Sequence, residues 1–195
     1  MIVNEFGDAG IDGDLIDTGQ EELVELSSGC ICCVVRGDLL RTLRDLTKRS
    51  PAPEGVLIET TGLANPSPVI QTFYADQIVA GHYRLDSVVA VVDAIHMTLQ
   101  LAQSQDAADQ IALADLIVLN KTADVPALSD LERALQAINP FAMILPTDRG
   151  RVEAGDLLER HGFDLDRIAD RMGDDDHDHD RNHIAAHGIA SVSVT

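Results

Sequence analysis

Short apolar runs alternate with longer stretches of helical period along this chain, and that alternation predicts most of its architecture. Continuous apolar runs at 55–59, 87–93, 116–120 and 142–145 have the length and β-branched content of strands buried on both faces of a parallel sheet. Residues 1–4 read as the remnant of another. Between the strands, the spacing predicts a helix over 38–49, with Leu39, Leu40, Leu43 and Leu46 on one face. Helical patterns also cover 94–102, 111–114, 129–138 and 153–161. The 129–138 pattern opens on Ser129 with Glu132 three residues on, the spacing of a capping box. Strands alternating with helices of this length imply right-handed βαβ crossovers. The expected fold is therefore α/β, with a doubly wound, mostly parallel sheet.

The pattern changes after Met172. The segment Gly-Asp-Asp-Asp-His-Asp-His-Asp-Arg-Asn-His that follows has no apolar side chain to bury, so it cannot offset the entropy of ordering. The expected organisation is an α/β domain over 1–172, an acidic His-rich linker over 173–186, and the start of a further domain over 187–195. The apolar run 189–194 would be that domain's first strand.

Composition narrows the function. The 195 residues carry a formal net charge of −19, which argues against a nucleic-acid partner because phosphate backbones attract basic surfaces. No apolar stretch approaches the roughly 20 residues needed to cross a bilayer. No basic segment followed by an apolar one marks the N-terminus for secretion, so the expected compartment is the cytoplasm. All three cysteines, Cys30, Cys32 and Cys33, fall within four positions. A disulfide scaffold would disperse them, and the clustering favours a reduced compartment with metal or redox chemistry.

Ligands of open α/β sheets bind beyond the carboxyl ends of strands, and two strand ends carry suggestive residues. Val56-Leu57-Ile58-Glu59-Thr60-Thr61-Gly62 ends an apolar strand in an acid, with a glycine three residues later. An acid there organises Mg²⁺ or water in nucleotide hydrolases, and the glycine lets backbone N–H groups approach a γ-phosphate. The bland alternative is an ordinary strand-to-loop turn. Asn120-Lys121-Thr122-Ala123-Asp124 is similar to the guanine-reading pattern NKxD, except that Ala123 stands in the place of the Asp and Asp124 follows one residue late. The alternative is a charged strand end. Third, Cys30-Ile31-Cys32-Cys33 supplies soft ligands for Zn²⁺ and related ions. Three thiols leave tetrahedral coordination incomplete, which suits transfer of a metal rather than its storage. Small buried hydrophobes and a thioredoxin-like Cys-x-x-Cys are the other readings.

Together these pieces resemble the CobW family of GTP-dependent metallochaperones. The resemblance runs in order through Asn4-Glu5-Phe6-Gly7, Gly10-Ile11-Asp12, Gly29-Cys30-Ile31-Cys32-Cys33, Glu59-Thr60-Thr61-Gly62-Leu63-Ala64-Asn65-Pro66, Gln71-Thr72-Phe73, Val91-Val92-Asp93-Ala94 and Ala114-Asp115 to Lys121. It implies a P-loop GTPase domain followed by a smaller one, hydrolysis of GTP to GDP and phosphate with Mg²⁺, and delivery of Zn²⁺ to client metalloproteins. Some family members serve cobalamin synthesis or nitrile hydratase activation, and Co²⁺ or Ni²⁺ are alternative cargoes. By the same resemblance, 4–12 is the switch I region, and 59–62 is the Walker B and switch II region in which Glu59 and Gly62 act. Asn120, Lys121 and Asp124 form the base loop. Cys32 is the leading metal ligand with Cys30 and Cys33 in support, and Asp8 and Glu5 are acids of switch I that assist. His177, His179 and His183 of the linker form a tract able to collect metal, against the alternative of a solvated acidic segment. A homodimer is compatible with this reading.

The chain departs from the family where a Walker A loop, GxxGxGKT, should hold the phosphates. No such pattern occurs, and the resemblance implies that a strand and that loop precede Met1 in an intact member. Two rivals remain: a nickel-insertion GTPase, which fits the cysteine spacing poorly, and a passive metal-binding protein without catalysis. The 195 residues alone are expected neither to bind GTP well nor to release phosphate from it faster than buffer does. Turnover well above that background would show that phosphate binding here does not need the missing loop.

Overall fold

The computed structural model describes residues 2–3, 24–25, 36–60, 62 and 64–165. They belong to two compact units, one within Met1–Arg84 and the other within Leu85–Arg181.

In the first unit three short parallel strands pair in the order β2-β1-β3: β1 is Ile2–Val3, β2 is Val24–Glu25 and β3 is Ile58–Glu59. Ile2 stands opposite both Val24 and Ile58 and is buried. Helix α1, Arg36–Leu46, buries Leu39, Leu43 and Leu46, while Leu40 is half-buried. The sequence pattern had extended it to 49, but Lys48 and Arg49 turn away before Pro51. Two helices that hydrophobic spacing did not reveal follow, α2 (Ser67–Ala75) and α3 (Gln77–His82). Prolines at 66 and 68 obscure α2, and only Ile70 and Phe73 mark its apolar face. Asp76 ends α2 and caps α3, its Oδ1 accepting the N–H groups of Ile78 and Val79 at 3.1 and 3.0 Å. The same carboxylate pairs with Arg44 of α1. The Tyr83 hydroxyl donates to the Leu43 carbonyl at 2.9 Å, so α1 and α3 are tied at two points.

The second unit is built on β4 (Val89–Asp93), β5 (Leu116–Asn120) and β6 (Met143–Pro146), all parallel and in that order. Its helices are α4 (Met97–Gln103), α5 (Gln105–Leu113), α6 (Leu128–Ile138) and the short α7 (Ala154–Leu157). Val92, Ile117 and Leu119 of the strands pack with Met97, Ile111, Leu131 and Leu135 of the helices in one core. Parallel strands in an α/β arrangement were the expectation, and residues 116–120 were placed as they are found. Burial on both faces holds fully only for β5. Val91 of β4 is 73% exposed and Met143 of β6 is 52% exposed.

Helix ends depart from the sequence pattern for identifiable reasons. No capping box forms at 129–138. The helix starts at Leu128 after Ala127, without a side-chain cap, and Ser129 lies inside it. That start sets Leu128, Leu131, Leu135 and Ile138 on the core side, so apolar packing overrides the local capping option. Helix α5 is longer than the predicted 111–114 because Ser104 caps it, its Oγ accepting the Ala107 N–H at 3.4 Å. Helix α7 stops early because Glu159 and His161 adopt positive φ (56° and 51°), where Asp86 accepts the N–H groups of Arg160 and His161. Among the described residues no helix is long and apolar enough to cross a membrane. The expected linker 173–186 and the strand at 189–194 lie outside the described residues.

Asn139 joins α5, α6 and β6. It is buried, its amide donates to the carbonyls of Ile111 and Ala114 at 2.8 Å and Ala112 at 3.2 Å, and its Oδ1 accepts from Phe141 and Ala142. It adds a side-chain donor at the carbonyls that end α5, where the helical ladder runs out. Asn139→Ala strands several buried polar groups at once and is expected to lower stability by about 3 kcal/mol, read from urea denaturation.

Candidate functional site

The carboxyl end of β5 delivers Asn120 and Lys121, and the chain turns there because Lys121 takes a left-handed conformation (φ 62°, ψ 38°). The Asn120 Oδ1 accepts the Lys121 N–H at 2.9 Å and the Gly150 N–H at 3.0 Å. Gly150 (φ 63°) and the preceding Arg149 (φ 54°) are both left-handed, which folds the loop after β6 back toward β5. Thr147 completes the join: its N–H donates to the Leu119 carbonyl at 2.8 Å, and its own carbonyl accepts the Thr122 N–H at 3.3 Å. The loops after β5 and β6 are thus laced together by main-chain and side-chain bonds.

The loop after β4 joins them through Asp93. Its Oδ2 accepts from Lys121 Nζ at 2.7 Å and lies 3.0 Å from His96 Nδ1, while its Oδ1 accepts the Ile95 N–H at 2.9 Å. The Lys121 ammonium, and after it the His96 imidazole, hold this carboxyl far below the usual carboxylate range, against the opposing effect of burial. Three adjacent strand ends therefore meet in one polar cluster, the place where an open α/β sheet binds ligands.

Three of the predicted site residues, Asn120, Lys121 and Asp124, are brought together here. Asp124 ends the 3-10 turn Thr122–Asp124, is exposed, and its carboxylate has no hydrogen bond or ion pair among the described residues. Glu59 and Gly62 belong to the first unit: Glu59 ends β3 with an exposed side chain, and Gly62 lies in the turn beyond it. Cys30, Cys32, Cys33, Asp8, Glu5, His177, His179 and His183 lie outside the described residues. Among the described residues no group of three His, Cys, Asp or Glu is placed to hold a metal ion. The sequence reading gave no role to Asp93, Thr147, Asp148 or Gly150. A signal was present for the last three, since Thr-Asp-Arg-Gly is a polar, glycine-bearing turn at a strand's carboxyl end.

Parallel strands whose carboxyl ends carry a braced Asn-Lys loop define a nucleotide-binding α/β domain of the P-loop GTPase fold. The chain belongs to the CobW/HypB/UreG nucleotide-binding domain family, whose model matches residues 1–146. Among its relatives, the zinc chaperone YjiA of Escherichia coli is 35% identical over 170 residues, covering 85% of this chain and 54% of YjiA. The zinc-regulated GTPase metalloprotein activator 1 of Schizosaccharomyces pombe is 36% identical over 162 residues, covering 78% of this chain and 39% of the relative. The zinc chaperone CobW of a Sinorhizobium species is 32% identical over 220 residues, covering 92% and 62%. The chain thus spans about half the length of the curated relatives it matches. The crystal structure of Zn(II)-bound YjiA GTPase superposes with a TM-score of 0.63 at 25% identity, covering 84% of this chain and 61% of that one.

The lowered Asp93 carboxyl gives a signed pH dependence. A carboxyl depressed in the folded state contributes stability that is complete above the ordinary carboxylate range, near pH 4 in the unfolded chain. That contribution is lost as pH falls from there toward the depressed native value. Asp93→Asn is expected to destabilise the chain at pH 7, with the difference from wild type shrinking steadily below pH 4 in urea denaturation.

Proposed function

We propose that this chain is the nucleotide-binding part of a GTP-dependent zinc metallochaperone, and the observation that carries the geometric half of this reading is the braced Asn120–Lys121 loop. An Asn-Lys loop fixed at a strand end, with an available carboxylate at Asp124, has the donors and acceptors for a purine base and its ribose. Glu59 and Gly62, at the end of another strand, have the chemistry to organise Mg²⁺-bound water and approach a γ-phosphate. Phosphate binding itself would require the Walker A loop. The zinc half rests on the thiols of Cys30, Cys32 and Cys33, with Asp8 and Glu5 as oxygen ligands, and on relatives named as zinc chaperones. The linker histidines His177, His179 and His183 would collect metal at lower affinity.

In this reading GTP orders the segments 4–12 and 59–62, as γ-phosphate orders switches in other GTPases. The cysteines lie between those segments in sequence, so nucleotide state would alter their coordination and release zinc to a client metalloprotein in the cytoplasm. A passive metal buffer is the second reading, and Ala123 in place of the usual base-reading Asp is the observation in its favour. Zinc affinity of the 195-residue chain, measured by competition with a chromophoric chelator, tests the cysteine site. Cys32→Ala is expected to weaken it about tenfold or more. Unchanged affinity would remove Cys32 from the metal site and with it the proposed transfer role.

A further inference from the structure

We infer that Asp148 is the positioning residue that allows the displaced Asp124 to read a guanine base, an inference that rests on the nucleotide-binding reading above. The Watson–Crick edge of guanine offers two adjacent donors, N1–H and the 2-amino group, and a carboxylate accepts both. Adenine offers an acceptor at N1 beside its 6-amino donor, which a carboxylate cannot match. A guanine-reading loop therefore needs a carboxylate with free lone pairs, and Ala123 cannot supply one.

Three carboxylates border the loop. Asp93 already accepts from Lys121, His96 and the Ile95 N–H. Asp148 is half-buried and engaged with the loop itself: its Oδ1 accepts the Ala123 N–H at 3.0 Å, and its Oδ2 lies 3.3 Å from the Thr122 hydroxyl, which also reaches the Thr147 carbonyl at 3.1 Å. Asp124 alone of the three is exposed and without a hydrogen bond or ion pair among the described residues. By elimination within the cluster, Asp124 is the reader.

The position of Asp124 depends on Asp148. Thr122, Ala123 and Asp124 form a single 3-10 turn, closed when the Val125 N–H donates to the Thr122 carbonyl at 3.2 Å. One such turn is short and weakly held by itself. Asp148 grips its first two residues, one with each carboxylate oxygen, and so fixes the direction in which the third projects. Asp148 is fixed in its turn, because Thr147 is bonded to Leu119 and to the Arg151 carbonyl (2.6 Å), and Gly150 to Asn120. The one-residue offset of Asp124 from the NKxD spacing is accommodated by a clamp from the neighbouring strand end, and the base-reading carboxylate stands one place further along the chain.

A positioning residue and a reader respond differently to exchange of carboxylate for carboxamide. At a reader, the carboxamide's amino group loses guanine but can donate to the 2-oxo group of xanthine. At Asp148, the carboxamide keeps an oxygen for the Ala123 N–H, so recognition survives. The test titrates GMP, XMP and AMP into the isotopically labelled 195-residue chain and follows the amides of Lys121, Ala123 and Gly150. The wild type is expected to prefer GMP over AMP by about tenfold. Asp148→Ala should lose most of that ratio, Asp148→Asn should retain it, and Asp124→Asn should turn the preference to XMP. Discrimination unchanged in Asp148→Ala, or a turn to XMP in Asp148→Asn, would overturn the inference while leaving guanine reading in place. A wild type that binds GMP and AMP alike, or neither, would overturn both.

Discussion

The second unit depends on the burial of β5 between two parallel neighbours. Leu116, Ile117, Val118 and Leu119 are all buried, so no residue before Asn120 has access to a ligand. Polar chemistry is forced to the strand's last position and the loop beyond it. Parallel register brings the ends of β4 and β6 alongside, Asp93 facing Asn120 and Pro146 facing Leu119. A continuous apolar strand thereby fixes where charge gathers, and the loop bonds only refine the arrangement.

The cluster at those ends is held by a few directional bonds on a chain of strongly negative net charge. Lys121 is the cation within it, and its contact with Asp93 settles where that positive charge stands. Asn120 and Asp148 contribute mainly through bonds to main-chain N–H groups, which fix backbone direction, and of the two only Asp148 also brings charge.

Legibility in the sequence followed the same physics. The strand at 116–120 and its Asn-Lys ending were readable because a fully buried strand leaves a continuous apolar run with an abrupt polar stop. The strands at 89–93 and 143–146 were found with blurred ends, since partly exposed residues such as Val91 and Met143 carry no polar mark. Helices α2 and α3 escaped because prolines and an Asp cap dominate their ends over few apolar positions. Asp148 escaped for a different reason: its partners are the Thr122 hydroxyl and the Ala123 N–H, some 25 residues away in sequence, and bonds to main-chain groups leave no pattern in side-chain identity. The family was legible from motif order, which includes the cysteine block on which the zinc reading rests.

The left-handed backbone of Lys121 gives the loop a strain of its own. A non-glycine residue at φ 62° sits about 1 kcal/mol above its relaxed state, at the position that bears the loop's cation. Glycine would relieve that strain and remove the ammonium; a β-branched residue would worsen it and offer no charge. Relief of backbone strain and the ion pair with Asp93 therefore pull against one another at this single residue. The tolerated alternatives at position 121 are correspondingly few, for a reason that belongs to the backbone before any ligand arrives.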